Sequence, residues 1–175
     1  MGTKLSAREI TVFSMLGALM YISKLALQWA PNIHPLGLII VASTLVYRAK
    51  ALFPVYIYVL IDGLYSGFAT WWIPYLYIWT ILWAMAMLLP RKAPKKILVP
   101  LCMAVSGIHG ILFGVLYAPF QAIMYGLSLK GTIAWIAQGL PYDVIHAASN
   151  LCAGILAVPM AELLKKINAR NGSQV

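Results

Sequence analysis

The sequence predicts an all-α membrane protein, a single compact bundle of six transmembrane helices with both chain ends in the cytoplasm. Hydrophobic residues make up 62% of the 175 residues and charged residues only 10%, a composition typical of integral membrane proteins. The mean hydropathy is +0.85. The basic residues also cluster at the ends of the apolar runs, as they do in membrane proteins of fixed orientation.

The basic clusters predict the orientation of the bundle. They comprise Lys4 and Arg8; Arg48 and Lys50; Arg91, Lys92, Lys95 and Lys96; and Lys165, Lys166 and Arg170. If successive spans alternate in direction, all of these residues fall on one side, which is the positive-inside pattern. The net charge of +9 is therefore interpreted as a topology signal, and no nucleic-acid partner is predicted.

The first half of the chain predicts three spans, at about residues 10–29, 36–47 and 51–65. Residues 30–35 contain two prolines and no periodicity, so they are predicted as an outer loop. The second span is short for a hydrocarbon core of about 30 Å. Arg48 and Lys50 mark an inner turn before the third span.

The second half predicts spans at about 71–89, 97–119 and 140–164. The segment 120–139 is mixed in polarity and is predicted to be a long outer loop or lid with a short helix. Gly139 and Pro141 are helix-entry signals, so the last span is expected to begin there and to end at Lys165 and Lys166.

Three polar residues interrupt the apolar run of the last span. Asp143, His146 and Asn150 are spaced i, i+3, i+7 and therefore share one helix face. Ionisable groups at membrane depth are costly and usually face a polar interior, so this face predicts one wall of a binding pocket. Simpler roles remain open: a first-turn carboxylate favoured by the helix dipole, a structural histidine, and an amide that bridges helices.

Other polar and aromatic side chains occupy the outer halves of the predicted spans and loops. The candidates for the same pocket are Lys24, His34, Asp62, Trp72, Tyr75, Trp135 and Tyr142. Aromatic walls with a few directional polar groups suit a flat heterocyclic ligand. Alternatively, Lys24 and Asp62 form a structural ion pair, and the aromatic residues at 71, 72 and 75 belong to an interfacial belt. For His109, whose neighbours include Gly107 and Gly110, a packing or interhelical hydrogen-bond role is favoured over a ligand role.

Two segments resemble the substrate-binding subunits, or S components, of energy-coupling factor (ECF) vitamin transporters. Many S components carry an Ala-x-x-x-Ala motif in the first helix, where this chain reads ITVFSMLGALMYIS with Ser14 and Ala18 at the two small positions. In the last helix, Asn150 precedes the small residues Cys152, Ala153 and Gly154. The size, the number of spans and the long segment before the last helix are similar as well.

The resemblance implies a function and a set of partners. Such a subunit captures a vitamin-like small molecule on the outer side of the prokaryotic plasma membrane and delivers it inward. Its partners would be a transmembrane coupling subunit, which Ser14, Gly17 and Ala18 would contact, and two cytoplasmic ATPase subunits. This chain has no G-x-x-x-x-G-K-[ST] phosphate loop, and no catalytic residue, metal or cofactor is predicted for it.

Two other classes of protein fit part of the sequence. His109, His146, Asp62 and Asp143 are metal-ligand types, but no H-E-x-x-H motif occurs and the histidines fall on different helices, which disfavours an intramembrane metalloenzyme. A non-transporting six-helix scaffold, such as a cell-shape protein, explains the hydrophobicity equally well. It gives no reason for three polar residues to share a face. The identity of the ligand is left open.

Overall fold

The computed structural model describes residues 5–170, and within this range the chain is helical with no β-strand. Lys4 of the first basic cluster and the side chain of Arg170 lie outside the described part. The α-helices are α1 (Ala7–Ala26), α2 (Leu36–Tyr47), α3 (Leu52–Ser66), α4 (Tyr75–Met87), α5 (Lys95–Tyr125), α6 (Leu129–Gly154) and α7 (Ala157–Arg170). Short 3₁₀ turns lie at Arg48–Ala51 and Thr70–Trp72. The predicted all-α class is confirmed.

Several helical segments are long and apolar enough to cross a membrane. They are Ala7–Ala26, Leu36–Ser66 and Lys95–Tyr125, and the pair α6 and α7 makes a fourth if it is counted as one span bent by 49°. The helix α4 has only 13 residues. The structure is therefore compatible with a membrane protein of three or four such segments, while six spans with a defined orientation stay a prediction.

The segment Leu36–Ser66 reverses direction at the turn that the basic residues predict. Arg48 has a left-handed backbone, with φ of 54°. The ring of Phe13 on α1 lies 5.0 Å from Tyr47 at the end of α2 and 6.0 Å from Phe53 at the start of α3. At 1.5 Å per residue these two helices are about 18 and 22 Å long, so each is short for a hydrocarbon core of about 30 Å.

Residues 120–139, predicted as a long outer loop or lid with a short helix, are helical except for the turn at residues 126–128, and their role as an outer lid stays a prediction. Helix α5 continues to Tyr125, where Gly126 adopts a left-handed conformation, and the hydroxyl of Ser128 caps α6 by accepting from the Gly131 amide at 3.2 Å. Both Pro119 and Pro141 therefore lie inside helices. At about 46 Å, α5 is longer than a hydrocarbon core.

The predicted last span also has different bounds. Helix α6 begins at Leu129 and not at Gly139, so Asp143 lies well inside the helix and the first-turn interpretation of its carboxylate is wrong. The chain then bends between Gly154 and Ala157, and the basic pair Lys165 and Lys166 belongs to α7.

Glycines on α5 allow the close approach of α6. A Cβ atom at Gly110 would lie 2.7 Å from the Ala147 Cα, and one at Gly107 would lie 3.0 Å from the Leu151 side chain. At the bend, a Cβ atom at Gly154 would lie 2.7 Å from the Met103 Cα. This packing fixes the face of α6 that carries Ala147 and Leu151 against α5, since small residues let two helix backbones approach.

Candidate ligand-binding site

A cluster of aromatic and histidine rings lies around the buried side chain of Trp79 on α4. The Trp79 indole is between 5.7 and 6.1 Å, centroid to centroid, from five rings. These rings belong to His34, Tyr58, Tyr75, His109 and Phe113. Together with His146 we call them the Trp79 cluster. They come from the loop before α2 and from α3, α4, α5 and α6, so the cluster joins most of the bundle.

His146 enters this cluster from α6. Its ring centroid lies 4.9 Å from that of His34 and 4.9 Å from that of Phe113, both in edge-to-face geometry. The side chain is buried, yet neither ring nitrogen has a hydrogen-bond partner within residues 5–170. Because an unpaired buried polar group costs about 1–3 kcal/mol, this arrangement requires an explanation.

Asn150, one turn further along α6, shows the same feature. It is fully buried, and neither its amide nitrogen nor its amide oxygen is paired with another group in the described chain. Its oxygen faces α2, where a Cβ atom at Gly37 would lie 2.9 Å away. A buried primary amide can donate two hydrogen bonds and accept two, so Asn150 and His146 present several unused polar atoms on one helix face.

Three more polar atoms of the cluster are unpaired in the same way. The Nε2 atom of His109 lies 3.0 Å from the carbonyl oxygen of Ile78, but its Nδ1 atom, the Nδ1 atom of His34 and the Nε1 atom of Trp79 have no partner among the residues described. The interhelical hydrogen-bond role predicted for His109 thus accounts for one of its ring nitrogens. Burial lowers the pKa of His34 to about 4, so the imidazole ring that faces His146 is neutral at pH 7.

Lys24 and Asp62 form an ion pair beside the Trp79 cluster. The Lys24 Nζ atom lies 2.6 Å from the Asp62 Oδ2 atom, and the Asp62 side chain is 1% exposed. The Tyr58 hydroxyl donates to the same oxygen at 3.4 Å, and the ammonium group lies 5.3 Å from the centroid of Tyr75. The ion pair, one of the two alternatives from the sequence, is therefore present, and it contacts two rings of the cluster; a role of these residues in a pocket stays a prediction.

The carboxylate of Asp143 takes part in a hydrogen-bonded contact between two helices. Its carboxylate is buried and accepts from the backbone amide of Gly114 on α5, with both oxygens at 3.2 Å. The three polar residues of α6 therefore share a buried face, but only His146 and Asn150 keep unpaired polar atoms.

Three predicted site residues lie apart from the cluster. Tyr142 is 58% exposed on the surface of α6. Trp135 stacks on Tyr117 at 5.9 Å in the hairpin formed by α5 and α6. The Trp72 indole donates to the carbonyl oxygen of Val59 at 2.7 Å, so its polar atom is already used.

The predicted docking surface on α1 also changes. Gly17 is buried against α3, where a Cβ atom would lie 2.5 Å from the Ile57 side chain, so Gly17 cannot belong to a free surface. Ser14 is exposed and Ala18 is partly exposed. Of the three predicted docking residues, only Ser14 and Ala18 are therefore accessible to a partner.

Sequence reasoning missed the centre of the site. Trp79 continues the face of Tyr75 one turn deeper, and this spacing is equally typical of core packing or lipid contact. Phe113 carries no signal that separates it from other apolar residues of α5. Only the tertiary contacts show that both rings surround the unpaired polar atoms.

Comparisons with known proteins give no relative for this chain. No family model, no curated protein and no solved structure matches it. Across residues 5–170, no group of three or more His, Cys, Asp and Glu side chains is placed to hold a metal ion. The chemistry of the site therefore has to be argued from its own side chains.

Proposed function

We propose that this chain is the substrate-binding subunit of an ECF-type importer and captures a small heterocyclic micronutrient. One observation carries the proposal: His146 and Asn150, one turn apart on α6, bury four polar atoms that have no partner among the described residues, and His146 lies next to the rings of His34 and Phe113. Buried polar groups are nearly always paired, and exceptions require a functional or structural reason. A bound molecule with matching donors and acceptors supplies that reason.

The side chains define the chemical class of the ligand. Aromatic rings favour a flat ring, with each stacked or edge-to-face pair contributing about 0.5–1.5 kcal/mol beyond burial. The Asn150 amide and the imidazole of His146 recognise a ring that carries both hydrogen-bond donors and acceptors. A pyrimidine or pyridine ring with amino or hydroxyl substituents, or a pterin, has this character, whereas an aliphatic hydrocarbon ligand would leave the polar atoms unpaired.

The rest of the transporter is proposed from the resemblance in α1 and α6. Ser14 and Ala18 lie on the accessible side of α1, where small side chains let a helix of a coupling subunit approach closely. The energy for transport would come from two ATPase subunits. A prokaryotic plasma membrane is the location that this proposal requires.

The proposal is tested by mass spectrometry of the small molecules that purify with the protein. The wild type is expected to release one heterocyclic compound in near-equal molar amount. Asn150→Leu keeps the branched shape of the side chain without the amide, and this variant should release little of the compound. Ser14→Ala changes an exposed residue of α1 and should behave as the wild type. Absence of any compound, or equal recovery from Asn150→Leu, would contradict the proposed site.

A further inference from the structure

A second feature lies at the end of the bundle away from Lys24 and the Trp79 cluster. A cavity of about 660 Å³ lies among the start of α1, the turn between α2 and α3, and α7. Five cationic side chains and one carboxylate line it, namely Arg8, Arg48, Lys50, Arg91, Lys165 and Glu9. Basic residues from four separate clusters of the sequence therefore meet at one place.

Most of this positive charge is not neutralised by an acidic partner. Glu9 pairs with Lys50 at 2.5 Å and is the sole carboxylate of the lining. Arg8 donates to the carbonyl oxygen of Asn168 at 2.9 Å, and Arg48 donates to that of Met87 at 2.5 Å. Neutral carbonyls position both guanidinium groups but leave their charge in place, so the cavity attracts anions.

Arg48 is held in place by contacts at both its side chain and its backbone. Its backbone, with φ of 54° and ψ of −122°, lies in a sparsely populated region that costs a non-glycine residue about 1–3 kcal/mol, and such strain persists only where the surroundings enforce it. Here the Trp83 indole donates to the Arg48 carbonyl oxygen at 3.0 Å, while the side chain donates to Met87. The Nε and Nη1 atoms of Arg48 are buried without an acceptor in the described chain.

The cavity also has an apolar wall. Val12, Leu45 and Val46 line it beside the cationic groups. A guanidinium group matches the geometry of phosphate oxygens, and an apolar wall beside it suits a molecule that joins a phosphate to a hydrocarbon chain. Basic pockets between helices at a membrane surface bind lipid headgroups in this way.

We propose that this cavity binds a phosphate-bearing anion, supplied either by the headgroup of an anionic phospholipid or by phosphate in solution. Arg48 provides the central charge and Arg8 and Lys165 flank it. The site is separate from the Trp79 cluster. Its occupancy is therefore independent of the micronutrient proposed above.

The test uses the full chain, purified in neutral detergent, and measures binding by native mass spectrometry and thermal unfolding. One arm compares phosphatidylglycerol with diacylglycerol of the same chains, which lacks the phosphate. The other arm compares inorganic phosphate with chloride at equal ionic strength. Arg48→Gln should weaken binding of the phosphate-bearing probe about tenfold and Lys165→Gln about threefold. Lys92→Gln removes an exposed charge that does not line the cavity and should have no effect.

The outcomes distinguish a lipid headgroup from free phosphate as the source of the anion, and a specific site from diffuse surface charge. Binding of phosphatidylglycerol alone supports the site with a lipid as its occupant, and binding of both probes supports it as a general phosphate site. Binding of neither probe overturns the proposal, as does equal weakening by Lys92→Gln, which would indicate only a diffuse surface charge. If Arg48→Gln does not fold, the exposed residues Arg91 and Lys165 provide the deciding variants, and unchanged binding in both overturns the proposal.

Discussion

At the scale of single residues, the ion pair of Lys24 and Asp62 shows how this bundle accommodates charge. Asp62 is almost completely buried while Lys24 is 30% exposed, so the lysine retains some hydration and the carboxylate depends on its partners. Those partners are the Lys24 ammonium and the Tyr58 hydroxyl. Removing one partner of a buried pair is more damaging than the net contribution of the pair suggests, because it leaves a buried charge uncompensated.

Lys24→Met should therefore destabilise the protein by about 3 kcal/mol, the lower end of the range for a broken buried pair, because the lysine is partly hydrated. Equilibrium unfolding in mixed detergent measures this change. Lys50→Met breaks the more exposed pair with Glu9, where the side chains are 42% and 26% exposed, and should cost less than about 1 kcal/mol. Equal losses in the two variants would argue against a buried role for Asp62.

Residue spacing predicted the buried polar face of α6 but not how each of its side chains is used. The i, i+3, i+7 pattern places Asp143, His146 and Asn150 on one face whichever residue begins the helix, and all three are buried. The use of the Asp143 carboxylate depends on Gly114, which lies 29 positions away and meets it only because α5 and α6 pack closely. No local pattern in the sequence encodes such a contact.

At the scale of elements, the hairpin of α5 and α6 is the framework that positions the site. The prediction of a loop or lid at 120–139 relied on the mixed polarity of the segment. The helix ends only at Gly126, which has the left-handed conformation that closes α5. Close packing between the helices overrides the weaker local preferences at Gly139 and Pro141.

Two glycine substitutions in this hairpin should have opposite effects. A Cβ atom at Gly110 meets the Ala147 backbone at 2.7 Å, which cannot shift without separating the helices, so Gly110→Ala should destabilise the protein by about 1–3 kcal/mol. Gly139 has no described atom within 4 Å of the equivalent position, so Gly139→Ala should stabilise it by about 0.5–1 kcal/mol. Thermal unfolding of both variants provides the measurement, and a gain in both would show that the helices do not pack this closely.

At the scale of the whole molecule, the two ends of the bundle differ in chemistry. One end holds the Trp79 cluster and the other holds the basic cavity. The basic clusters predicted this polarity well, because charge placement is a property of sequence order. The centre of the cluster could not be predicted, because Trp79 and Phe113 acquire their role from helices that meet only in the folded chain.

Labelling of cysteines tests how this bundle is oriented in a membrane. Lys130→Cys, on exposed α6, should react with a charged thiol reagent added to intact cells, and Lys92→Cys should react only after permeabilisation. The native thiols should stay unlabelled until denaturation, Cys102 because it is buried and Cys152 because its exposed side would face lipid in a membrane. Labelling of Cys152 in the native protein by the charged reagent would contradict a membrane-embedded α6.

The central claim is tested most directly by measuring how tightly the variants His146→Ala and Asn150→Ala bind the compound recovered from the purified protein. Each variant should bind it at least about tenfold more weakly than the wild type, which corresponds to about 1.4 kcal/mol. Cys152→Ala, an exposed position on the same helix, should bind it normally. Unchanged affinity in both His146→Ala and Asn150→Ala would contradict the proposal that their unpaired polar atoms bind a small molecule.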